Sequence, residues 1–470
     1  MPAESVLMNF GELALAARGE IRPEGASRTA GFSSVCIDSR KAREGSLFAA
    51  LPGTVMDGHS FVCGAFSLGA AAALVTRRDC RRLDLETLAA TMGRTLIVVE
   101  DTLAALQDAA TAYLEKYPRL IRVGITGSSG KTTTKEIAAA VVGRKMCVVA
   151  NPGNYNSETG FPLAAFEVRS EHEVGIFELG ISARGEMARL VRILNPQIAL
   201  VTNVGTAHLG IIGSQRGILE EKKTIFSGLG KNGLALIPED SPYRDALAEG
   251  LECRTAFYGE KSIRGLGGTR SLGLEGSELT IDGQPVRLAL PGRHNLANAV
   301  AALAVAQELV SDFAAMREGI AGVRPLFARG EVLQGSVTVL KDCYNSNPQS
   351  LRAVLDFCQS LDRPGRRMYV IGDMLELGEE APAAHREAGR LLAASGAELV
   401  FLFGREMEAA FAEIKFLKPS GMEVFHTNDM QELIREVGSW KRDGDLVLLK
   451  GSRGCQMERL FPVLQEDGDV

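Results

Sequence analysis

Residues 126–133, Thr-Gly-Ser-Ser-Gly-Lys-Thr-Thr, combine the side chains and backbone freedom that bind phosphate. Glycines let main-chain N–H groups turn toward an anion, and a following helix start adds its dipole. Thr126 and Gly127 open the loop, with Ser128, Ser129 and Gly130 at its crest. Lys131 can reach terminal phosphates and the Thr132 hydroxyl suits Mg2+, with Thr133 beside it. The common G-x-x-x-x-G-K-[ST] pattern is not met, because its first glycine falls on Ile125. What stands is T-G-x-x-G-K-T. A plain glycine-rich turn with a surface lysine is the alternative, but strand, spacing and Lys-Thr coincide.

Further polar groups end apolar runs. Glu178 closes the run 174–178, and His208 follows the run 198–202. A carboxylate there would be costly without a partner. Mg2+ prefers hard oxygen ligands, so Glu178 is a natural ligand. His208 could hold a second metal or be a hydrogen-bonded structural histidine. Asn295 and Asn298 share a helix face and suit a purine edge, unless Asn295 only caps the helix. Asp38, Ser39 and Arg40 could contact a phosphate or simply end a strand.

The elements that must position these groups follow from the alternation of apolar runs and helical stretches. Strands are expected at 120–125, 147–150, 174–178, 198–202 and 234–237. Helices between them imply a mostly parallel sheet covered on both faces. Ligands in such sheets bind at the carboxyl ends of the strands. Residues 255–292 turn glycine-rich and alternating, and are expected as antiparallel hairpins appended to that sheet. A long alanine-rich helix then runs to about 310. The expected fold is α/β in three domains. Residues 1–104 form a small mixed α/β domain, and 105–322 a central P-loop parallel-sheet domain. Residues 323–470 form a Rossmann-like α/β domain with strands at 337–340, 368–371, 399–403, 423–425 and 446–449. Arg329 sits on the connecting hinge, from which it can reach phosphate only when two domains close.

The chain has 470 residues, of which 46% are apolar and 23% charged, so each domain can bury a core. Net charge is −6, and no long basic run offers nucleic acid a surface. No apolar run reaches the roughly 18 residues of a membrane span, and no signal-peptide pattern opens the chain. The eight scattered cysteines lack a C-x-x-C pair, which suits reduced thiols in a cytoplasmic protein. Cys343 suits packing better than nucleophilic work.

Taken together, these stretches resemble the Mur ligases, the ATP-dependent amide-forming enzymes of peptidoglycan precursor synthesis. The resemblance covers nearly the whole chain. It rests on Asp38-Ser-Arg40 with Asp57-Gly-His59, the phosphate loop, Gly153-Asn-Tyr-Asn-Ser-Glu-Thr-Gly-Phe-Pro162, and Asn203-Val-Gly-Thr-Ala-His208. Pro291-Gly-Arg-His-Asn-Leu-Ala-Asn298 and Asp342-Cys-Tyr-Asn-Ser-Asn-Pro348 complete it. The last of these is similar to the dipeptide-adding branch. The branch that adds the third residue typically has D-Y-A-H-x-P there and D-N-P-R later, which is not found. Gly180-Ile-Ser-Ala-Arg-Gly185 departs from relatives that carry an Asn-His pair after the glutamate.

The resemblance implies ATP, two Mg2+ sites, UDP-N-acetylmuramoyl-tripeptide and D-alanyl-D-alanine as ligands of a cytoplasmic monomer, with no nucleic-acid or membrane partner. It assigns Lys131 to the β/γ-phosphates, and Thr132 and Glu178 to one Mg2+. His208 and a carbamylated Lys222 go to the other, since Lys222, unlike Lys223, stands four residues before Phe226. Asn295 and Asn298 would hold adenine, and Arg329 and Asp342 would bring the third domain onto the nucleotide. Ser39 and Arg40 would contact the uridine nucleotide, and Asn154 and Asn156 the peptide. Tyr344, Asn345 and Asn347 would line the dipeptide side. Two readings compete: the sister ligase, which adds one amino acid to a UDP-dipeptide, and a P-loop switch ATPase. ATP use that needs two further small molecules separates the switch from the ligases.

Overall fold

Side chains along a strand alternate between the two faces of a sheet, so wholly apolar strands need cover on both sides. The computed structural model, which describes residues 6–53, 56–205, 209–362 and 365–465, follows this rule in each sheet. The N-terminal strands are β1 (Met8–Asn9), β2 (Glu20–Arg22), β3 (Gly31–Phe32), β4 (Ser34–Cys36), β5 (Ser46–Ala49), β6 (Ala72–Thr76) and β7 (Thr95–Val99). β1 and β3 form an antiparallel pair, and the others a five-stranded sheet of order β2-β7-β6-β5-β4. Phe48, Ala73, Val75, Leu96 and Val98 supply one apolar face of it.

The central strands are β8 (Ile121–Thr126), β9 (Val148–Ala150), β10 (Val174–Glu178), β11 (Ile198–Val201), β12 (Leu234–Pro238) and β13 (Arg254–Tyr258). They form one six-stranded sheet of order β13-β12-β11-β8-β10-β9. The expected strands fall within about two residues of those observed. Two expectations at 255–292 are corrected. β13 is a parallel edge strand of the central sheet, paired with β12. The hairpins β14 (Leu266–Ser271), β15 (Ser277–Ile281) and β16 (Gln284–Leu288) make a separate antiparallel sheet and are not appended to it. The run Arg-Thr-Ala-Phe-Tyr hid β13 because an edge strand needs little apolar alternation. Its anchor is the buried Tyr258 hydroxyl, which donates to Val201 O at 2.9 Å.

The C-terminal strands β17 (Glu331–Leu333), β18 (Thr338–Asp342), β19 (Arg367–Gly372), β20 (Leu399–Phe403), β21 (Glu423–Thr427) and β22 (Leu446–Lys450) form a sheet of order β17-β18-β22-β19-β20-β21. It is parallel apart from β17. Leu340, Tyr369, Ile371 and Leu448 face one core, and Val339, Met368, Val370 and Val447 the other. That period of two is the double-sided cover of an open α/β domain.

The chain divides into two units. One comprises Met1–Gly124, Cys147–Ile181 and Glu186–Gln197, and the other Ile125–Met146, Ser182–Gly185 and Ile198–Val470. The expected border at residue 104 falls inside the helix Thr102–Glu115, whose start is capped by Asp101. No described helix is long and apolar enough to cross a membrane.

Candidate active site

In the second unit the phosphate loop joins β8 to the helix Lys131–Val142. Two glycines are required there by both conformation and space. Gly127 has φ +153° and Gly130 φ +78°. A Cβ on Gly127 would lie 1.8 Å from Thr202 Oγ1, and one on Gly130 2.1 Å from Asn298 Oδ1. The crest is held from the end of β11. Ser129 N–H donates to Asn203 Oδ1 at 3.1 Å, and Thr202 Oγ1 donates to Ser129 O at 2.7 Å. Gly205 N–H donates to Ser128 Oγ at 2.7 Å. Lys131 Nζ reaches back to Gly127 O at 2.8 Å, so the ammonium lies over its own loop. Thr126 and Thr132 are buried, and Thr133 is half-buried.

Lys222 belongs to the same unit, on the helix Gln215–Lys223, and is buried. Burial, and next the charge of Lys131, push its amine well below the ordinary lysine range. The neighbouring Lys223 instead turns outward to Ala246 O and Glu249 O, at 2.7 and 2.6 Å. Arg184, in the stretch that departs from the family pattern, binds Ile212 O at 2.7 Å. His208 lies outside the described residues.

Asn295 and Asn298 are buried on the helix Arg293–Leu309 and linked to each other, Asn298 Nδ2 to Asn295 Oδ1 at 3.3 Å. Asn295 is not the helix cap. Gly292 holds that position, and Asn295 Nδ2 donates to Pro291 O at 2.8 Å. Arg329 stacks its guanidinium 3.9 Å over the Tyr344 ring. The preceding Ala328 has φ +55°, a left-handed conformation. Asp342 Oδ2 receives Lys450 Nζ at 2.7 Å, and the same ammonium donates to Asn345 O at 3.2 Å. Asn345 is exposed. Asn347 caps the helix Pro348–Ser360, its Oδ1 accepting from Ser350 N–H at 2.8 Å. Gln349 in that first turn faces Gly205, and both line a cavity of about 260 Å3 with Leu351, Ala384 and Ala388. Cys343 is buried, which pushes its thiol up to about 12, in keeping with a packing role.

In the first unit Glu178 ends β10 as a buried carboxylate. Asn156 Nδ2 donates to its Oε1 at 2.6 Å. Asn154 is exposed. Ser39 and Arg40 form a short turn in which the Arg40 guanidinium, itself exposed, pairs with Asp38 at 2.8 Å. That pairing holds the Asp38 carboxyl down to about 2. Asp57, His59 and Asp79 lie close enough together to suggest a metal. Both ring nitrogens of His59 are occupied, however. Nδ1 donates to Asp57 at 2.6 Å and Nε2 accepts from Thr76 N–H at 2.9 Å. His59 therefore braces the fold.

Three family descriptions match the chain: Mur ligase family catalytic domain at residues 32–114, Mur ligase middle domain at 125–306, and the Mur ligase glutamate ligase domain at 328–453. The chain belongs to the Mur ligase family. Among similar Mur ligases, UDP-N-acetylmuramoyl-tripeptide–D-alanyl-D-alanine ligase of Treponema pallidum is 42% identical, covering 98% of this chain and all of the relative. The Bacillus subtilis protein of the same name is 34% identical over 92% of this chain and 93% of its own. A crystal structure of MurF from Acinetobacter baumannii superposes with TM-score 0.85 at 28% identity, covering 98% and 99% of the two chains. MurF from Thermotoga maritima, solved in complex with ADP, gives 0.77 at 28% identity over 92% and 97%.

Four residues of this Mur ligase escaped the sequence-based assignment of roles: Asn151, Thr202, Asn203 and Lys450. All four stand at or just beyond the carboxyl end of a parallel strand. That position was the available signal, because the carboxyl edge is where open α/β sheets gather their ligands.

Proposed function

We propose that this chain joins D-alanyl-D-alanine to UDP-N-acetylmuramoyl-tripeptide at the expense of ATP, through an acyl phosphate. It is an ATP-dependent, ADP-forming ligase. The observation that carries the reading is the phosphate loop, with Lys131 on its own carbonyl, Lys222 buried in the same unit, and Gln349 facing Gly205. The substrate carboxylate attacks the γ-phosphorus and ADP leaves. The dipeptide amine then adds to the acyl carbon, and phosphate leaves with the bond electrons. Such chemistry needs no protein nucleophile. It needs positioned charge and exclusion of water.

Lys131 leaves Gly127 O for the β/γ-phosphates. The Thr132 hydroxyl and the Glu178 carboxylate would offer hard oxygen donors to one Mg2+, while carbamate oxygens on Lys222 and an imidazole nitrogen of His208 would serve the second. The donor chemistry fits: burial pushes the Lys222 amine down, toward the neutral form whose nitrogen adds CO2 and releases a proton. Bound Mg2+ would neutralise charge on the phosphates. Asn295 and Asn298 face adenine, while Arg329 and Asp342 carry the third domain onto the nucleotide. Ser39 and Arg40 serve the uridine end and Asn154 the peptide. Tyr344 and Asn345 line the dipeptide side, and Asn347 aims that helix. We place the domain borders before Thr102 and after Gly322, and the enzyme in the cytoplasm as a monomer.

The test is product mass. With ATP, Mg2+, UDP-N-acetylmuramoyl-tripeptide and D-alanyl-D-alanine, a product heavier by one dipeptide is expected. Product formed instead from a UDP-dipeptide and a single amino acid would move the chain to the sister ligase.

A further inference from the structure

Asn156 stands in a stretch that the family resemblance gives to the peptide substrate, yet its side chain is turned to Glu178. The contact between Nδ2 and Oε1 is 2.6 Å. The amide presents its NH2 side to the carboxylate, which accepts. The Asn156 carbonyl accepts from Gly180 N–H at 2.8 Å, which ties the loop to the backbone just past the carboxylate. Gly180 leaves room for this. A Cβ there would lie 3.0 Å from Asn156 Cγ and 3.1 Å from its Oδ1.

Asn151 grips the main chain of the same glutamate. Its Oδ1 accepts from Glu178 N–H at 2.8 Å, and its Nδ2 donates to Glu178 O at 3.0 Å. That Nδ2 also donates to Tyr155 O at 2.8 Å, one residue before Asn156. A single loop therefore holds Glu178 by backbone and by carboxylate together.

We propose that Asn156 is a positioning residue for Glu178 as a Mg2+ ligand, with Asn151 as its scaffold, and not a contact to the peptide. The inference rests on reading Glu178 as a ligand of Mg2+. A glutamate side chain gives up rotamer freedom when a cation fixes it, and a donor already on one oxygen removes that freedom beforehand. An amide is suited to this. It orients the carboxylate without a positive charge that would compete with the cation, as a lysine would.

The test uses the full chain with ADP, with Mn2+ as the probe and electron paramagnetic resonance as the readout of its affinity. The KM for UDP-N-acetylmuramoyl-tripeptide is measured in parallel. Asn156→Leu keeps the size and removes the donor, and Asn156→Ala serves should leucine not fit beside Gly180. Mn2+ affinity is expected to fall about tenfold, with the tripeptide KM within about twofold of wild type. Unchanged Mn2+ affinity with a raised tripeptide KM would return Asn156 to the peptide and overturn the inference. Glu178→Gln separates the two levels. If it leaves Mn2+ affinity intact, the metal reading itself fails. If it weakens Mn2+ while the Asn156 variants do not, only the positioning role fails.

Discussion

Asn298 Oδ1 occupies the space that a side chain on Gly130 would need, since a Cβ there would lie 2.1 Å from it. The residue expected to hold adenine thus also sets the shape of the phosphate loop. Gly130 has φ +78°, where an L-residue costs about 1–2 kcal/mol before any clash. Gly130→Ala is expected to weaken ADP binding by at least about tenfold. Adding Asn298→Ala should relieve the clash but not the φ penalty, so calorimetry on the single and double variants should show partial recovery of any loop distortion.

Lys131→Ala removes the charge proposed for the terminal phosphates. A lost preorganised contact of this kind should lower kcat/KM by about 100-fold to 1,000-fold, measured by phosphate release. A loss of less than about tenfold would remove Lys131 from that role.

Lys222 should make both activity and stability depend on pH. Its amine is held below its unfolded value, near 10.4, by burial and then by Lys131. Below the folded value both states are protonated, and the native state bears the full cost of a buried cation. That cost fades as pH rises from the folded value toward the unfolded one, because the unfolded chain then binds more protons. Stability of the uncarbamylated protein should therefore rise with pH across that window, and Lys222→Met should flatten the rise in denaturant midpoints. Lys222→Ala should lose activity and regain part of it with short carboxylic acids. Absence of any rescue would argue against the carbamate.

Lys450 is buried and Asp342 about a fifth exposed, with Nζ and Oδ2 2.7 Å apart. Leaving one member of such a pair alone costs more than the pair gains. Lys450→Met should destabilise the chain by about 3 kcal/mol in denaturant titration and raise the KM for ATP. Lys450→Met with Asp342→Asn should recover more than half of the lost stability.

The phosphate loop, the strands that carry it and the two-sided C-terminal sheet were legible because each is a local pattern. Gly127 to Thr132 is contiguous, and the alternation in Met368 to Ile371 lies within a single strand. The braces were not legible. Asn203 reaches Ser129 from beyond the end of β11, and Lys450 reaches Asp342 from the neighbouring strand. Nothing local marks such an asparagine or lysine as a partner. The Asn156 contact was hidden in the same way: its stretch resembles one that serves the peptide, and only the fold brings its amide to Glu178. Arg254–Tyr258 was missed because an exposed edge strand carries mixed polarity.

The most direct measurement is phosphate release from ATP with Mg2+, UDP-N-acetylmuramoyl-tripeptide and D-alanyl-D-alanine, leaving out each in turn. Release should require every component, because free phosphate leaves only when the amine displaces it from the acyl phosphate. Steady ATP turnover that ignores both small molecules would contradict the ligase account and leave a P-loop ATPase that couples nucleotide to conformation.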